Sequence, residues 1–341
     1  MPRVIGIDPG TVSIDIVGLV DGKLWLDQTF PTREALAAPE NLVRLLQAQG
    51  PLDLIAGPSG YGLPLVMASD ATESELRLAF LSREGDTGGI GGLGRLSRLL
   101  ADARLPVIYT PGVIHLATVP AYRKTNRIDL GTADKVAVAA LGIWDQARRF
   151  GNSSFILLEL GGAFTAAVAV ANGQILDGIG GTSGPIGWRA GGAWDGEVAF
   201  LAGQVTKEML FRGGVSDSTP DDLTGYIEGA HKAVLALTAA LPAPDEILLS
   251  GRQSRHPGIR EPLERRLAAI GPVRGLKGFA SVAKEGAQGA AVIADGLAGG
   301  ANRGITDGMR LGEASGTVLD HLRVITPDHA RRQLGLPTVS D

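Results

Sequence analysis

Apolar residues in this chain gather in short, dense runs. Arg3 to Ile7 and Val12 to Val20 form one pair of runs, and Phe155 to Leu158 and Ala166 to Ala171 form another. Runs this short, this continuous and bounded by turn residues predict buried strands. Between the members of the first pair stand Asp8-Pro9-Gly10-Thr11. Between the members of the second stand Glu159-Leu160-Gly161-Gly162-Ala163-Phe164-Thr165. Each pair then ends on a strong hairpin dipeptide, Asp21-Gly22 in the first and Asn172-Gly173 in the second. The separation from acid to dipeptide is the same in both, 21 − 8 = 13 and 172 − 159 = 13. The pattern predicts a duplicated β-hairpin unit. Each copy offers a glycine turn where backbone can approach a ligand and amide hydrogens can point at an anion.

The remaining pattern alternates helix and strand. Pro39 to Gln49 predicts a helix, with Pro39 in its first turn and Leu42, Leu45 and Leu46 on one face. Leu52 to Ala56 is a short strand, followed by the loop Gly57-Pro58-Ser59-Gly60-Tyr61-Gly62. Gly85 to Gly94 reads as a mobile glycine-rich loop, Leu93 to Leu105 as a helix and Val107 to Thr110 as a strand. Pro111 to Asn126 reads as a loop carrying His115 and the cations Arg123 and Lys124, with Arg127 beyond it. Thr132 to Phe150 gives the clearest helix: Ala133, Val136, Ala137, Ala140, Leu141 and Trp144 recur at helical spacing behind Thr132 as N-cap. Asp134 falls in its first turn, where a carboxylate complements the helix dipole.

Trp194 to Leu210 and Leu223 to Leu241 also predict helices, with the aromatics of the first assigned to the core. Glu246 to Leu249 is a strand ending in Ser250-Gly251-Arg252. Pro257 to Ala269 is a helix, and Val273 begins the last strand. Lys284 to Leu297 is a helix rich in Gly and Ala, able to cross another element closely. Beyond residue 300 the pattern supports one short helix, Glu313 to Leu322.

Composition removes several classes of function. There is no cysteine, hence no disulfide framework and no thiolate site. A net charge of −4 leaves no electrostatic footprint for nucleic acid. Apolar runs are short and broken by glycine, so no membrane span is predicted, and no secretory signal precedes the first strand. A soluble cytoplasmic protein is the expectation. Histidines lack metal-ligand spacing. Neither a P-loop nor a nucleophile elbow occurs. A length of 341 residues suits two domains.

Paired acid–glycine hairpins and a Ser-Gly turn after a later strand resemble the acetate and sugar kinase, heat-shock chaperone and actin superfamily. Within it, three stretches resemble the group labelled predicted butyrate kinases: Asn126 to Lys135, Gly180 to Glu197, and Gly286 to Gly300. The resemblance implies an α/β fold of two ribonuclease H-like domains around a nucleotide cleft, the actin-like ATPase fold. It places the N-terminal domain at 1–131, completed by 284–341, and the C-terminal domain at 132–283, with interdomain helices near 132–150 and 284–298.

The same resemblance implies ATP and Mg²⁺ as cofactors and a phosphotransferase activity toward a small acceptor such as a short-chain fatty acid. Asp8 then holds Mg²⁺ through water. Gly10, Thr11, Gly161 and Gly162 hold phosphates, and Glu159 assists at the metal. Asp134 positions acceptor or metal. Ser250, Gly251 and Arg252 lie against adenine and ribose, with Arg252 standing where the family pattern has a second glycine. Arg189, in the glycine-rich run Gly178 to Gly192, resembles the arginine that meets the transferring phosphoryl group, with pairing to Asp195 as the alternative. The family's acceptor-binding arginine is replaced by Pro58-Ser59, which leaves open another acceptor, or a nucleotide-driven switch with none. Monomer and homodimer are both compatible with the sequence.

Overall fold

The computed structural model describes residues 1–83, 92–151, 154–217 and 221–338. Most of the glycine-rich stretch 85–94 therefore lies outside the described residues. The chain forms two compact units. The first comprises Met1–Ile128, Thr132–Trp144 and Gly278–Asp341; the second comprises Asp129–Gly131 and Asp145–Lys277.

In the first unit, β1 (Arg3–Pro9), β2 (Ser13–Val20) and β3 (Lys23–Pro31) form an antiparallel meander. Then come α1 (Thr32–Ala37), α2 (Pro39–Gln47), β4 (Leu54–Ala56), β5 (Val66–Met67), α3 (Glu73–Phe80), α4 (Leu93–Asp102), β6 (Val107–Tyr109) and α5 (Ala121–Lys124). The helix α6 (Ala133–Phe150) contributes its residues up to Trp144. The sheet order is β3-β2-β1-β4-β6-β5, with β4 parallel to both β1 and β6. Strand alternation sends Ile5, Ile7, Ile14 and Ile16 into a core with Leu42, Leu46, Leu96 and Leu100. Each such aliphatic burial is worth roughly 1.5–3 kcal/mol.

The second unit repeats the plan. It contains β7 (Phe155–Leu160), β8 (Thr165–Ala171), β9 (Gln174–Ile179), α7 (Gly196–Ala202), α8 (Asp221–Leu237), β10 (Glu246–Ser250), α9 (Pro257–Leu267) and β11 (Val273–Gly275). The sheet order is β11-β10-β7-β8-β9, again an antiparallel meander followed by parallel strands. Its core joins Ile156, Leu158 and Leu160 to Tyr226, Val234, Ile247 and Leu263. The chain then returns to the first unit through α10 (Glu285–Leu297), α11 (Arg303–Gly308) and α12 (Pro327–Gln333).

The duplication predicted from the hairpins is present in detail. Both closing dipeptides have positive φ at both residues: 50° and 69° at Asp21-Gly22, 51° and 74° at Asn172-Gly173. That is the backbone of a tight hairpin turn whose twist matches its strands. The meanders also share a register shift, after Gly18 in the first and after Ala169 in the second. Those positions differ by 169 − 18 = 151, the same offset as 159 − 8 between the acids. The small-residue character of α10 has a packing cause. A Cβ at Gly6 of β1 would fall 2.1 Å from the Ala291 amide nitrogen of α10. One at Gly289 of α10 would fall 1.7 Å from the Ala137 carbonyl of α6.

Several expectations are corrected. The helix predicted over 194–210 is confined to Gly196–Ala202, because Gly203 turns left-handed at φ 67° and ends it. Phe200 is not core but 77% exposed, whereas Phe211 packs edge-on against Phe164 at 5.0 Å. The helix predicted over 313–322 does not form. Gly316 sits at φ 79° within a turn, and the helices lie on either side at α11 and α12. Helix α12 starts where Thr326 accepts the His329 amide and Pro327 enters the first turn. The helix α3 opens on a capping box, Thr72 with Glu75, a readable signal absent from the apolar pattern.

Candidate functional site

In the first unit the hairpin turn β1–β2 gathers most of the predicted residues. Asp8 lies in the last turn-ward part of β1, paired across the ladder with Asp15 of β2. The Gly10 amide donates to the Ser13 carbonyl at 2.9 Å, closing the turn on itself. In the second unit the Gly161 amide donates to the Phe164 carbonyl at 2.9 Å, the same three-residue span. Both glycine amides are therefore used inside their own turns, and Thr11 and Gly162 stand at the tips. A Cβ on Gly161 would meet the Phe164 carbonyl at 2.9 Å, so the hairpin itself requires this glycine. Thr32 at the start of α1 pins the first turn by donating its hydroxyl to the Gly10 carbonyl at 2.6 Å.

A lysine that sequence reasoning passed over occupies the centre of this turn. Lys284 sits at the N-cap of α10, and its Nζ lies 3.1 Å from Asp8 Oδ2 and 3.2 Å from Asp15 Oδ2. The same ammonium donates to the Ser13 carbonyl at 3.1 Å. Gly10 makes room for it: a Cβ there would fall 2.0 Å from Nζ. On the other side Gly286, in the first turn of α10, makes room for the Asp8 carboxylate, which a Cβ would meet at 2.3 Å. A cation at a helix N-terminus opposes the helix dipole, so a lysine at this N-cap was a signal that carboxylates stand nearby. Burial raises the Asp8 pKa from its ordinary value, against the pull of Lys284. Burial alone would lower that of Lys284, but Asp8 and Asp15 outweigh it and raise it.

What places Lys284 is Asp27 of β3. Its carboxylate accepts the amides of Ser281 and Val282 at 2.9 Å and of Ala283 at 2.7 Å, and the Ser281 hydroxyl at 3.2 Å. Burial resists ionisation of Asp27, but these donors together hold its carboxyl below the usual range. The segment leading into α10 is thus clamped to the meander before the lysine side chain begins.

Asp134, in the first turn of α6, belongs to the same unit and is close enough to Asp8 for its charge to raise the Asp8 pKa. It is half-buried and already partnered. The Lys135 ammonium lies 2.7 Å from Oδ2, and the Thr132 hydroxyl donates to Oδ1. Burial opposes its charge, yet these partners hold its pKa below the ordinary value. Ser59, where the resemblance leads one to look for an arginine, is buried. Its hydroxyl donates to the Gly57 carbonyl and accepts the Thr110 amide, both at 2.9 Å, fastening the 57–62 loop to the end of β6.

In the second unit, Glu159 at the end of β7 pairs in register with Ser250 of β10. Ser250 is buried, and its hydroxyl has no hydrogen-bond partner among the described residues. Gly251 follows at φ 85°, with its Cα packed so that a Cβ would fall 2.5 Å from the Leu160 carbonyl. Arg252 is exposed and opens a short 3₁₀ turn. Arg189 lies half-buried in a loop tied to the same hairpin: its amide donates to the Ala163 carbonyl at 3.1 Å and its Nε to the Gly162 carbonyl at 3.2 Å. Asp195 instead caps α7, accepting the Glu197 amide at 2.7 Å. Asp129 anchors the run that leads to this loop, accepting the Thr182 amide and hydroxyl at 2.9 Å. Two stretches that carried the resemblance, around residues 129 and 180, therefore meet in one hydrogen-bonded corner.

The family model described as protein of unknown function (DUF1464) matches residues 6–324. The chain belongs to this family. No curated protein matches it. Among solved structures it is similar to a propionate kinase from Francisella tularensis subsp. tularensis SCHU S4, at 12% identity over 85% of this chain and 99% of that one, TM-score 0.56. It is also similar to acetate kinase from Entamoeba histolytica, at 12% identity over 79% and 87% of the two chains, TM-score 0.54. Acetate kinase from Porphyromonas gingivalis is similar at 14% identity over 79% and 88%, TM-score 0.54. At these identities the likeness shows the fold alone: the chain has the actin-like ATPase fold that these acetate and propionate kinases share. Among the described residues no helix is long and apolar enough to cross a membrane.

Proposed function

We propose that this protein is an ATP-dependent kinase that transfers the γ-phosphoryl group to a small acceptor, a short-chain carboxylate being the first candidate. The observation that carries the proposal is the pair of hairpin turns with equal internal geometry, each preceded by an acid, on a fold shared with acetate and propionate kinases. Phosphoryl transfer is mostly positioning and charge neutralisation, which turns of this kind can supply.

Roles follow from chemistry within each unit. In the first, Gly10 shapes the turn, Thr11 offers amide and hydroxyl to phosphate, and Asp134 orients the acceptor or a hydrated ion. In the second, Gly161 and Gly162 do the corresponding work, with Glu159 behind them. Ser250, Gly251 and Arg252 receive the base and ribose. Arg189, tethered by one nitrogen to the turn, keeps the rest of its planar fork for equatorial phosphoryl oxygens.

Mg²⁺ fits the donor set of the first unit under one condition. Among the described residues no group of three or more His, Cys, Asp or Glu is arranged as a metal cage. Mg²⁺ needs no such cage, since it keeps several waters and takes other ligands from phosphates. Asp8 Oδ2 already meets Lys284, so Asp8 would hold the ion through water. When bound, the ion neutralises phosphate charge.

The engaged Ser59 hydroxyl and the absence of a cation at Pro58-Ser59 favour a second reading, a nucleotide-driven switch without a metabolite acceptor. A screen of small carboxylates and alcohols for acceptor-dependent ADP release separates the two. Acceptor-dependent release supports the kinase, and release indifferent to every acceptor supports the switch. Calorimetry that detects no Mg²⁺–ATP binding overturns both.

A further inference from the structure

Lys284 fills, with its own ammonium, the place a cation would take against Asp8. Three oxygens surround Nζ: Asp8 Oδ2 at 3.1 Å, Asp15 Oδ2 at 3.2 Å and the Ser13 carbonyl at 3.1 Å. An ammonium has three N–H donors, so all three are engaged and none remains for a phosphate. Two carboxylates and a carbonyl are also hard oxygen donors of the kind that divalent ions prefer. The lysine is not there by chance of a flexible stem. The chain enters α10 through the Asp27 clamp, the Lys284 amide itself approaches Asp15 Oδ1 at 3.4 Å, and Gly10 leaves the space that Nζ occupies.

We propose that Lys284 is a specificity-determining residue of the nucleotide site, a tethered cation that keeps the Asp8–Asp15 pair from binding a free divalent ion directly and leaves Asp8 to meet, through water, an ion that arrives with phosphate. The inference rests on the nucleotide-binding reading above and deepens it. Lys284 neutralises part of the charge on two buried carboxylates in the nucleotide-free protein. A free divalent ion must displace an ammonium that is held by covalent tether at high local concentration, whereas an ion already carried by a polyphosphate brings most of its own ligands. The ion then needs only water-mediated contact with Asp8, and Lys284 stays in place. Lys284 is thus a positioning residue, acting through Asp8, Asp15 and the Ser13 carbonyl.

The test uses the full chain and Mn²⁺ as the probe, followed by the loss of the free Mn²⁺ electron paramagnetic resonance signal. In the absence of nucleotide, Lys284→Met is expected to bind Mn²⁺ at least about tenfold more tightly than the parent, while Lys284→Arg behaves as the parent. Equal Mn²⁺ affinity in Lys284→Met and the parent overturns the inference. Should Lys284→Met fail to fold, Lys284→Gln, uncharged but still able to donate toward Asp8 and the Ser13 carbonyl, takes its place: the same gain of about tenfold or more in Mn²⁺ affinity without nucleotide is expected, and affinity equal to the parent overturns the inference. Calorimetry with ADP and ATP runs beside this. A parent that binds no nucleotide removes the functional reading, whereas the comparison of Lys284→Met with the parent in Mn²⁺ alone tests the lysine's role independently.

Discussion

Lys284 and Asp8 stand 276 residues apart in sequence (284 − 8) and 3.1 Å apart in the structure, joined as ammonium and carboxylate. Asp8 is buried and Lys284 partly so, and neither can be removed without consequence for the other. Deleting the lysine strands two buried carboxylates, a loss typically of about 3–5 kcal/mol, whereas deleting Asp8 leaves Lys284 with Asp15 and should cost less. Lys284→Met and Asp8→Asn should each destabilise the fold. The double variant should lose less than the two separate losses combined, with a coupling of about 1–3 kcal/mol in chemical denaturation. Additive losses would mean that the two side chains do not support each other.

Arg189 is fixed by one nitrogen to the carbonyl of Gly162, inside the second hairpin turn. Its planar fork distinguishes it from lysine at a site where phosphoryl oxygens are to be spanned. Under the proposed kinase function, Arg189→Lys should lower kcat by about 10²-fold or more, with ATP affinity changed far less. Steady-state kinetics with an acceptor, or the basal ATPase rate, measures it. Turnover equal to the parent would leave Arg189 as a strut of the 187–191 loop.

His115 is 2% exposed and its pKa is lowered from 6.5 to about 4, chiefly by burial, with the Lys124 ammonium adding to it. The unfolded chain therefore takes up a proton at this histidine as pH falls below 6.5, and the folded protein does not until about 4. By linkage, stability contributed by neutral His115 is present above 6.5 and declines as pH falls from 6.5 toward 4. His115→Gln should flatten that part of the stability profile, read as urea midpoints across this pH range. An unchanged slope would assign the acid sensitivity to other groups.

Gly289 of α10 faces the Ala137 carbonyl of α6 so closely that any Cβ must displace backbone. Gly289→Ala normally favours a helix by about 1 kcal/mol. Here overpacking should reverse the sign and destabilise by about 1–3 kcal/mol or more. Gly304→Ala in α11, where nothing lies within 4 Å of the added Cβ, serves as the control and should be neutral or mildly stabilising. Thermal unfolding of the two variants decides it, and a stable Gly289→Ala would contradict the close crossing.

Gly161→Val is a poor probe of ligand binding for a related reason: the added carbon would press on the Phe164 carbonyl of its own turn. Loss of binding in that variant would report on the hairpin before it reported on phosphate.

Much of this architecture was legible in the sequence because it is local. Dense apolar runs made β1, β2, β7 and β8. Asp21-Gly22 and Asn172-Gly173 closed their hairpins because these residues tolerate positive φ, and the matched spacing exposed the duplication. The glycines and alanines of α10 announced a close crossing before its partner was known. Local pattern failed where a single left-handed glycine overruled it, as Gly203 does at the end of α7 and Gly316 does in the segment predicted as helix. It was silent on every pairing made by the return of the chain after the second unit. Asp27 holding residues 281–283, Lys284 reaching Asp8 and Asp15, and Arg189 choosing Gly162 over Asp195 are consequences of strand order and packing. Spacing along the chain carries no record of such contacts, because the energy that fixes them comes from burying groups that the fold alone brings together.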